Sequence, residues 1–379
     1  MPLFLVYRGL PFVNGLVALE AEERFKLVAR NTDEIVTLEE LRGLLEAGGK
    51  PKAYWGFEPS GLMHLGTGLV CGLKILDMVE AGFDFTIFLA DWHAWINGKL
   101  GGSMENIRFC GEYLKEGFSA LGLTPGRVRY RWASELVEQA EYWEILLRIA
   151  KTVNLSRVVR ALPIMGRQLT LGSEVEFAWL IYPCMQAADI FAMNLDCACA
   201  GIDQRKAHML ARDAAEKLGF KKPVCVHTHL LPGLSGPSRE GVYDEDERLS
   251  LQISSKMSKS LPKTCIYVHD SPEEVRAKIR AAYCPPRIAE GNPVMEIARY
   301  ILFARGGRTL EIRRAEKYGG PLTVYSYQEL ENLYTSGRLH PLDLKNAVAE
   351  ALIETLEPFY RHFKGREEMV ERMKRLEAL

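Results

Sequence analysis

The chain has 379 residues, 47% of them hydrophobic and 26% charged, an ordinary balance for a soluble globular protein with room for two domains. Lysine plus arginine (48) and aspartate plus glutamate (49) nearly cancel, so bulk charge gives no pointer to nucleic acid, although a local basic face depends on distribution rather than sum. Eight scattered cysteines suit reduced, buried thiols in a cytoplasmic protein rather than a disulfide framework.

The first residues, MPLFLVYRGLPFVNGLVALE, are apolar but interrupted by Arg8, Pro11 and Asn14. Neither a secretory leader nor a membrane span is expected there or elsewhere, and residues 1–24 read as an N-terminal extension leading into a helix that begins near Glu20. NTDEIVTLEELRGLLEAGG reads as helical, with Thr37 as its N-cap and the glycines as its stop. From there the pattern alternates. AYWGF, FDFTIFLAD, RVRYRWAS, LDCACAGID and KPVCVHTHLL are strand-like. GLVCGLKILDMVEAG, ENIRFCGEYLKEGFSALG and QRKAHMLARDAAEKLG are helical.

Such alternation predicts an α/β fold, a mainly parallel sheet covered by helices on both faces. Cys197-Ala-Cys199 and Cys225-Val-His227-Thr-His229 fall in the strand-like runs and lack the spacing of structural zinc sites, so core packing is the expected role and no metal site is predicted. LPGLSGPSREGVYDEDERLS reads as a loop. Beyond about residue 270 only helices are expected.

EPSGLMHLGTG, residues 58–68, falls where a strand hands over to a helix, the place where parallel sheets present unpaired N–H groups to ligands. Gly66 and Gly68 would let a phosphate approach the backbone. The P-loop pattern fails for want of spacing and of a Ser/Thr after Lys74, and the dinucleotide fingerprint is one residue too long and leaves His64 without a role. His64 instead suits donation to the α-phosphate of a nucleotide, which calls for a second, lysine-bearing element. SKMSKS at residues 255–260 supplies it: Lys256 and Lys259, spaced three apart among small residues, suit a mobile clamp on a leaving pyrophosphate.

The pair PSGxxHxG and KMSKS is the two-part pattern of class I aminoacyl-tRNA synthetases, and within that class the chain resembles the archaeal and eukaryotic type of tyrosyl-tRNA synthetase. The likeness is carried by YWGFEPSG at 54–61, LADWHA at 89–94, YPCMQAAD at 182–189, GIDQRKAHML at 201–210, KMSKS, AYCP at 282–285 and HPLDLKNAVAE at 340–350. It runs from about residue 25 to about 360. It implies a Rossmann-like catalytic domain over 25–265 with a connective segment inserted over about 110–180, then a helical anticodon-binding domain over 266–379. It also implies a cytoplasmic homodimer that activates tyrosine with ATP, accompanied by Mg²⁺ and with no tightly bound cofactor, and passes the tyrosyl group to tRNA(Tyr).

By the same resemblance, ATP is served by Gly56, His64, Gly66, Thr67, Lys256, Met257, Ser258 and Lys259, with His64 and the two lysines catalytic. Tyr54 and Asp189 meet the substrate phenol, while Tyr182, Gln186 and Gln204 hold its amino group. Arg160, Arg205 and Lys206, joined by Arg157, face the tRNA acceptor end; Tyr318, His340 and Asp343 match the anticodon readers. Each residue also has a plainer role open to it: Tyr182 as core, Asp189 as an ion-pair partner, His340-Pro341 as a helix start. Two positions depart from the family. Thr67 stands where a second histidine is frequent, and Trp92 where a smaller apolar residue is usual. The charged tail after residue 364 reads as a solvated helix face. Other identities remain open: a tryptophanyl enzyme, whose substrate has no hydroxyl for Tyr54 and Asp189; a small nucleotidyltransferase; or a synthetase-derived RNA-binding protein without catalysis.

Overall fold

The computed structural model describes residues 19–166, 175–237, 244–259 and 261–377. Most of the N-terminal extension, part of the long acidic loop and Ser260 of the second motif lie outside the described residues. Six strands form one sheet in the order β1-β6-β5-β2-β3-β4. They are β1 (Thr32–Val36), β2 (Lys52–Phe57), β3 (Asp84–Leu89), β4 (Arg129–Trp132), β5 (Cys197–Gly201) and β6 (Val224–Thr228). All neighbours run parallel except β1, which pairs antiparallel with β6 at the edge. The chain winds outward through β2, β3 and β4, then crosses back to β5 and β6. The gap between β2 and β5 is therefore the topological switch point, where a crevice opens beyond the strand ends.

Alternation along the strands sorts side chains between two cores. Ala53, Trp55 and Phe57 of β2, with Phe85, Ile87 and Leu89 of β3, pack into the larger one. Tyr54 and Phe88 point the other way, into the smaller. The larger core is covered by α1 (Ala21–Ala29), α2 (Leu38–Glu46), α3 (Gly72–Glu80) and, after the short α4 (Asp91–Ile96), by α5 (Met104–Ala120). The smaller core lies under α6 (Ser134–Val137), α7 (Ala140–Thr152), α8 (Leu155–Ala161), α9 (Phe177–Ala192) and α10 (Arg205–Leu218).

Thr37 caps α2 as the sequence predicts, in a reciprocal box with Glu40. The residues before it differ from expectation: Thr32–Val36 form β1 rather than the front of the helix. Pairing to β6 outweighs local helical preference, and Asp33 and Glu34 find fixed partners in His229 and His227.

After α11 (Glu247–Ser255) the C-terminal part contains α12 (Pro272–Ala281), α13 (Pro293–Ile297), α14 (Tyr327–Thr335), α15 (Pro341–Phe363) and α16 (Glu367–Glu377). The expectation of helices alone is corrected by a small antiparallel hairpin, Leu310–Ile312 with Leu322–Val324. Three-residue strands are too short for period-two alternation to show. The larger core continues without a break into this part, through Val275, Val348, Leu352, Phe359 and Met373. Polar clasps reinforce it. Arg305 reaches Asp77 and Glu80 of α3, and His229 sits between Asp33 and Glu296, stacked on Tyr300 with ring centroids 4.1 Å apart.

Candidate active site

The turn after β2 lies at the switch point and is held from three sides. From α5, the Tyr113 hydroxyl accepts from Met63 N–H at 3.0 Å, and Cys110 Sγ accepts from Gly61 N–H at 3.4 Å. From the segment beyond the second motif, Ile266 C=O accepts from Leu65 N–H and Val268 N–H donates to Met63 C=O, each at 3.0 Å. This short antiparallel contact pairs His64 with Tyr267. It joins the two motifs through the backbone, although about two hundred residues separate them in sequence.

His64 is half-buried on this turn. Gly66 N–H donates to its Nδ1 at 3.1 Å, so the ring proton resides on Nε2, which lies 3.5 Å from Thr67 Oγ1. Burial, aided by the charges of Lys259 and Lys256, pushes the His64 pKa down to about 3. The imidazole is therefore a neutral N–H donor. Both lysines act on this ring, so both stand near it. Lys256 pairs with Asp203 after β5 at 2.8 Å, and Lys259 donates to Ser60 Oγ after β2 at 3.3 Å; the two amines straddle the switch point. Met257 between them is buried and donates its N–H to Leu231 C=O at 2.7 Å, while Ser258 C=O accepts from Leu261.

The glycines of the turn are required by the packing around His64. A Cβ on Gly68 would lie 2.6 Å from Val268 Cγ1, and one on Gly66 would lie 2.9 Å from the His64 ring. Their N–H groups bond to His64 itself. Their smallness lets the chain close tightly around the His64 ring. Gly56 differs. It lies exposed within a central strand, two residues from Tyr54 on the same face, and a Cβ there would lie 3.7 Å from the Tyr54 and Phe88 rings, so its missing side chain leaves those rings uncovered.

Within and beside the smaller core on the Tyr54 side, polar side chains of α9 gather. Tyr182, Gln186 and Asp189 fall on one face of α9 at spacings of four and three. Asp189 is 2% exposed. Its Oδ1 accepts from the Tyr142 hydroxyl at 2.9 Å, and its Oδ2 is 3.2 Å from His93 Nε2. Burial opposes charge on His93, but Asp189, with Glu58 and Asp91, overcomes it and raises the pKa. Tyr54, also 2% exposed, is pushed up by burial and then by the Asp189 charge.

The Tyr182 hydroxyl donates to Glu58 Oε1 at 3.3 Å, and Asn97 Nδ2 donates to the same carboxylate at 3.0 Å. Gln204 Nε2 donates to Ile164 C=O at 2.9 Å, which orients its amide. Gln186 Oε1 is buried without a hydrogen-bond partner among the described residues, which leaves it as an acceptor for a donor from outside them. Trp92 packs edge-on against Trp95 at the margin of this core.

The structure therefore gathers the five expected pocket residues and brings in Glu58, His93 and Tyr142 as well. Glu58 and His93 sit inside two quoted motifs. Tyr142 carries no local signal, being one apolar-face residue of α7 among several.

The basic residues expected at the acceptor end are mostly paired. Arg205 bonds Glu34 at 2.9 Å, Lys206 pairs with Asp244 at 2.9 Å and Arg157 with Asp213 at 2.7 Å; Arg160 is exposed. Farther off, Tyr318 is 63% exposed on a short turn. Arg314 holds that turn to the start of α15 by donating to Gly320 C=O at 2.6 Å and Arg338 C=O at 3.0 Å. His340 caps α15, its Nδ1 accepting from Leu342 N–H at 3.2 Å, with Asp343 in the first turn. Cys197, Cys199 and Cys225 are buried strand residues, and among the described residues no three His, Cys, Asp or Glu side chains are grouped to hold a metal. Nor is any helix among them long and apolar enough to cross a membrane.

Comparison with known proteins agrees with this geometry. The family model described as tRNA synthetases class I (W and Y) matches residues 46–357. A tyrosine–tRNA ligase from Aeropyrum pernix is 54% identical over 344 residues, covering 90% of this chain and 93% of the relative. One from Pyrococcus furiosus is 45% identical, covering 94% and 98%. The crystal structure of tyrosyl-tRNA synthetase complexed with L-tyrosine from Pyrococcus horikoshii superimposes with a TM-score of 0.86 at 44% identity, covering 94% of this chain and all of that one. A tryptophanyl-tRNA synthetase from A. pernix reaches 0.66 at 19% identity, a likeness of fold alone. Two motifs closed into one turn above a buried tyrosine–aspartate pair, and a family match spanning most of the sequence, lead to one conclusion: the chain belongs to the class I tRNA synthetases of the tryptophan and tyrosine group.

Proposed function

We infer that the chain is a tyrosine–tRNA ligase, which joins tyrosine to ATP as tyrosyl-adenylate and passes the tyrosyl group to the 3′ end of tRNA(Tyr). The observation that carries this is Asp189, a buried carboxylate that meets the Tyr142 hydroxyl and His93 and whose charge acts on the buried Tyr54 phenol. A phenol pairs with these groups. Phenylalanine or an indole would leave them unsatisfied, at a cost of about 1–3 kcal/mol per buried group. Glu58, Gln186 and Gln204, with the Tyr182 hydroxyl, form the acceptor-rich side that suits an ammonium.

The tyrosine carboxylate is ionised already, so the first step needs position and charge rather than a base. Its oxygen attacks the α-phosphorus and pyrophosphate leaves in line. Neutral His64 offers Nε2–H to the α-phosphate, Thr67 adds a hydroxyl beside it, and Gly56 and Gly66 keep the floor low. Lys256 and Lys259, on either side of Met257 and Ser258, take up charge on the outer phosphates. Mg²⁺ enters with ATP on the phosphate oxygens.

For tRNA, Arg160 with Arg205, Lys206 and Arg157 would neutralise acceptor-end phosphates. Tyr318 would stack on an anticodon base, with His340 and Asp343 beside it. A catalytic domain over 25–265 and an anticodon domain over 266–379 go with this division of labour. The homodimer implied by the family resemblance finds support in Leu147, Leu155 and Phe177, large apolar side chains left exposed between β4 and β5.

ATP–pyrophosphate exchange with each amino acid in turn tests the assignment. Tyrosine alone should drive exchange. Exchange driven by tryptophan would overturn the tyrosine assignment, and none at all would favour an RNA-binding protein without catalysis.

A further inference from the structure

The C-terminal helix reaches the turn between the two motifs. α16 is anchored on α5 by buried Val370 and Met373. Arg372 adds to this, bonding Glu105 at 3.1 Å and lying over the Phe109 ring at 3.9 Å. At the end of the helix, Glu377 Oε1 accepts from Leu62 N–H at 3.1 Å, two residues before His64. Gly61 makes the approach possible. Its φ of +139° is closed to most side chains, and a Cβ there would lie 2.6 Å from Glu377 Oε1 and 3.2 Å from Lys259 Cδ. The carboxylate and the lysine stem therefore share one side of Gly61. Burial raises the Glu377 pKa while Lys259 opposes that rise, so the two charges act on each other.

We propose that Glu377 is a positioning residue of the nucleotide site, its carboxylate pinning the Leu62 turn and drawing on the charge of Lys259 until the phosphates of ATP take that charge over. The proposal rests on the ligase function inferred above. A carboxylate beside the lysine that binds phosphate weakens the ground-state grip on ATP and pyrophosphate, because both anions address one ammonium. In return it keeps Lys259 on the turn when no nucleotide is present. The anchoring by Val370, Met373 and Arg372 makes the distance a property of the fold rather than of a loose tail.

Glu377→Gln separates charge from hydrogen bond, because the amide oxygen still accepts from Leu62 N–H. With Glu377 screened as in bulk water, the KM for ATP in tyrosine-dependent exchange of the full-length protein should fall about 3- to 10-fold, the range one charge gives a few ångströms from a phosphate there. The KM for tyrosine should stay within about twofold of its original value. Glu377→Ala, which also frees the turn, should lower kcat in addition. The Kd for ATP from calorimetry should follow the KM. An unchanged or raised ATP KM and Kd in Glu377→Gln would overturn the proposal. If the unmodified protein showed no tyrosine-dependent exchange, the ligase function would fail, while the calorimetric Kd would still decide the role of Glu377.

Discussion

Asp189→Asn is the substitution on which the tyrosine pocket can be judged. Asparagine keeps the volume and an acceptor for the Tyr142 hydroxyl, so the pocket should stay closed, but the charge is gone. Hydrogen bonds to a charged acceptor contribute about 1.5–3 kcal/mol and those to a neutral one about 0.5–1.5. The bonds from Tyr142 and from a bound phenol should both weaken, and His93, whose raised pKa depends on Asp189 against the penalty of burial, loses its main partner. Burial then acts on His93 with less opposition and pushes its pKa down. Together these effects should cost tyrosine about 1.5–3 kcal/mol in kcat/KM, or about 10- to 150-fold. Pyrophosphate exchange at saturating ATP measures it, with phenylalanine as control, since a substrate without the hydroxyl should lose little. The preference for tyrosine over phenylalanine should therefore narrow by a similar factor. Equal losses for tyrosine and ATP, or for tyrosine and phenylalanine, would show that Asp189 serves only the fold.

Three other outcomes are expected. Gly68→Ala should destabilise by about 1–3 kcal/mol through overlap with Val268 Cγ1, and Gly68→Ala/Val268→Ala should recover most of the melting temperature. His229 has its pKa raised to about 9 by Asp33 and Glu296 against burial. Its stabilising contribution, about 2–4 kcal/mol, should be fully present below about pH 6.5 and lost as pH rises through about 9. Denaturant melts of the unmodified protein and His229→Gln across pH 6–10 should therefore converge at the alkaline end, and a constant gap would refute the linkage. Tyr318→Ala should raise the KM for tRNA about 5- to 150-fold, the loss of one stacked base, in aminoacylation assays, and should spare tyrosine-dependent exchange.

The sheet was legible because its strands are long apolar runs between amphipathic helices. β3 is buried along nearly its whole length, and no other element type explains DFTIFL. β1 escaped because TDEIV is held by partners far away in sequence, and nothing local separates it from the capped helix that follows. In the site, His64, the two lysines and the α9 trio could be read as residue types at fixed spacings. What they touch could not. The glycines of the turn read in sequence as a flexible bend, and only the positions of Val268 and the His64 ring show how tightly each is packed. Tyr142 and Glu377 were beyond reach for the same reason: their roles come from the side of a helix that faces the pocket or the turn. The tail in particular has the composition of a solvated helix, in which Val370 and Met373 are easily passed over as anchors.

The backbone contact between Met63–Leu65 and Ile266–Val268 also has a consequence for how the protein is made. When the His64 turn leaves the ribosome, the strand that will satisfy Leu65 N–H and Met63 C=O has not been translated. At synthesis rates of about 5–20 residues per second, the turn waits roughly 10–40 seconds for that partner. The carboxylate that caps Leu62 N–H arrives later still, 315 residues after its partner. A nascent chain can thus assemble much of its sheet early, yet the His64 turn stays incomplete until Ile266–Val268 and then Glu377 have followed.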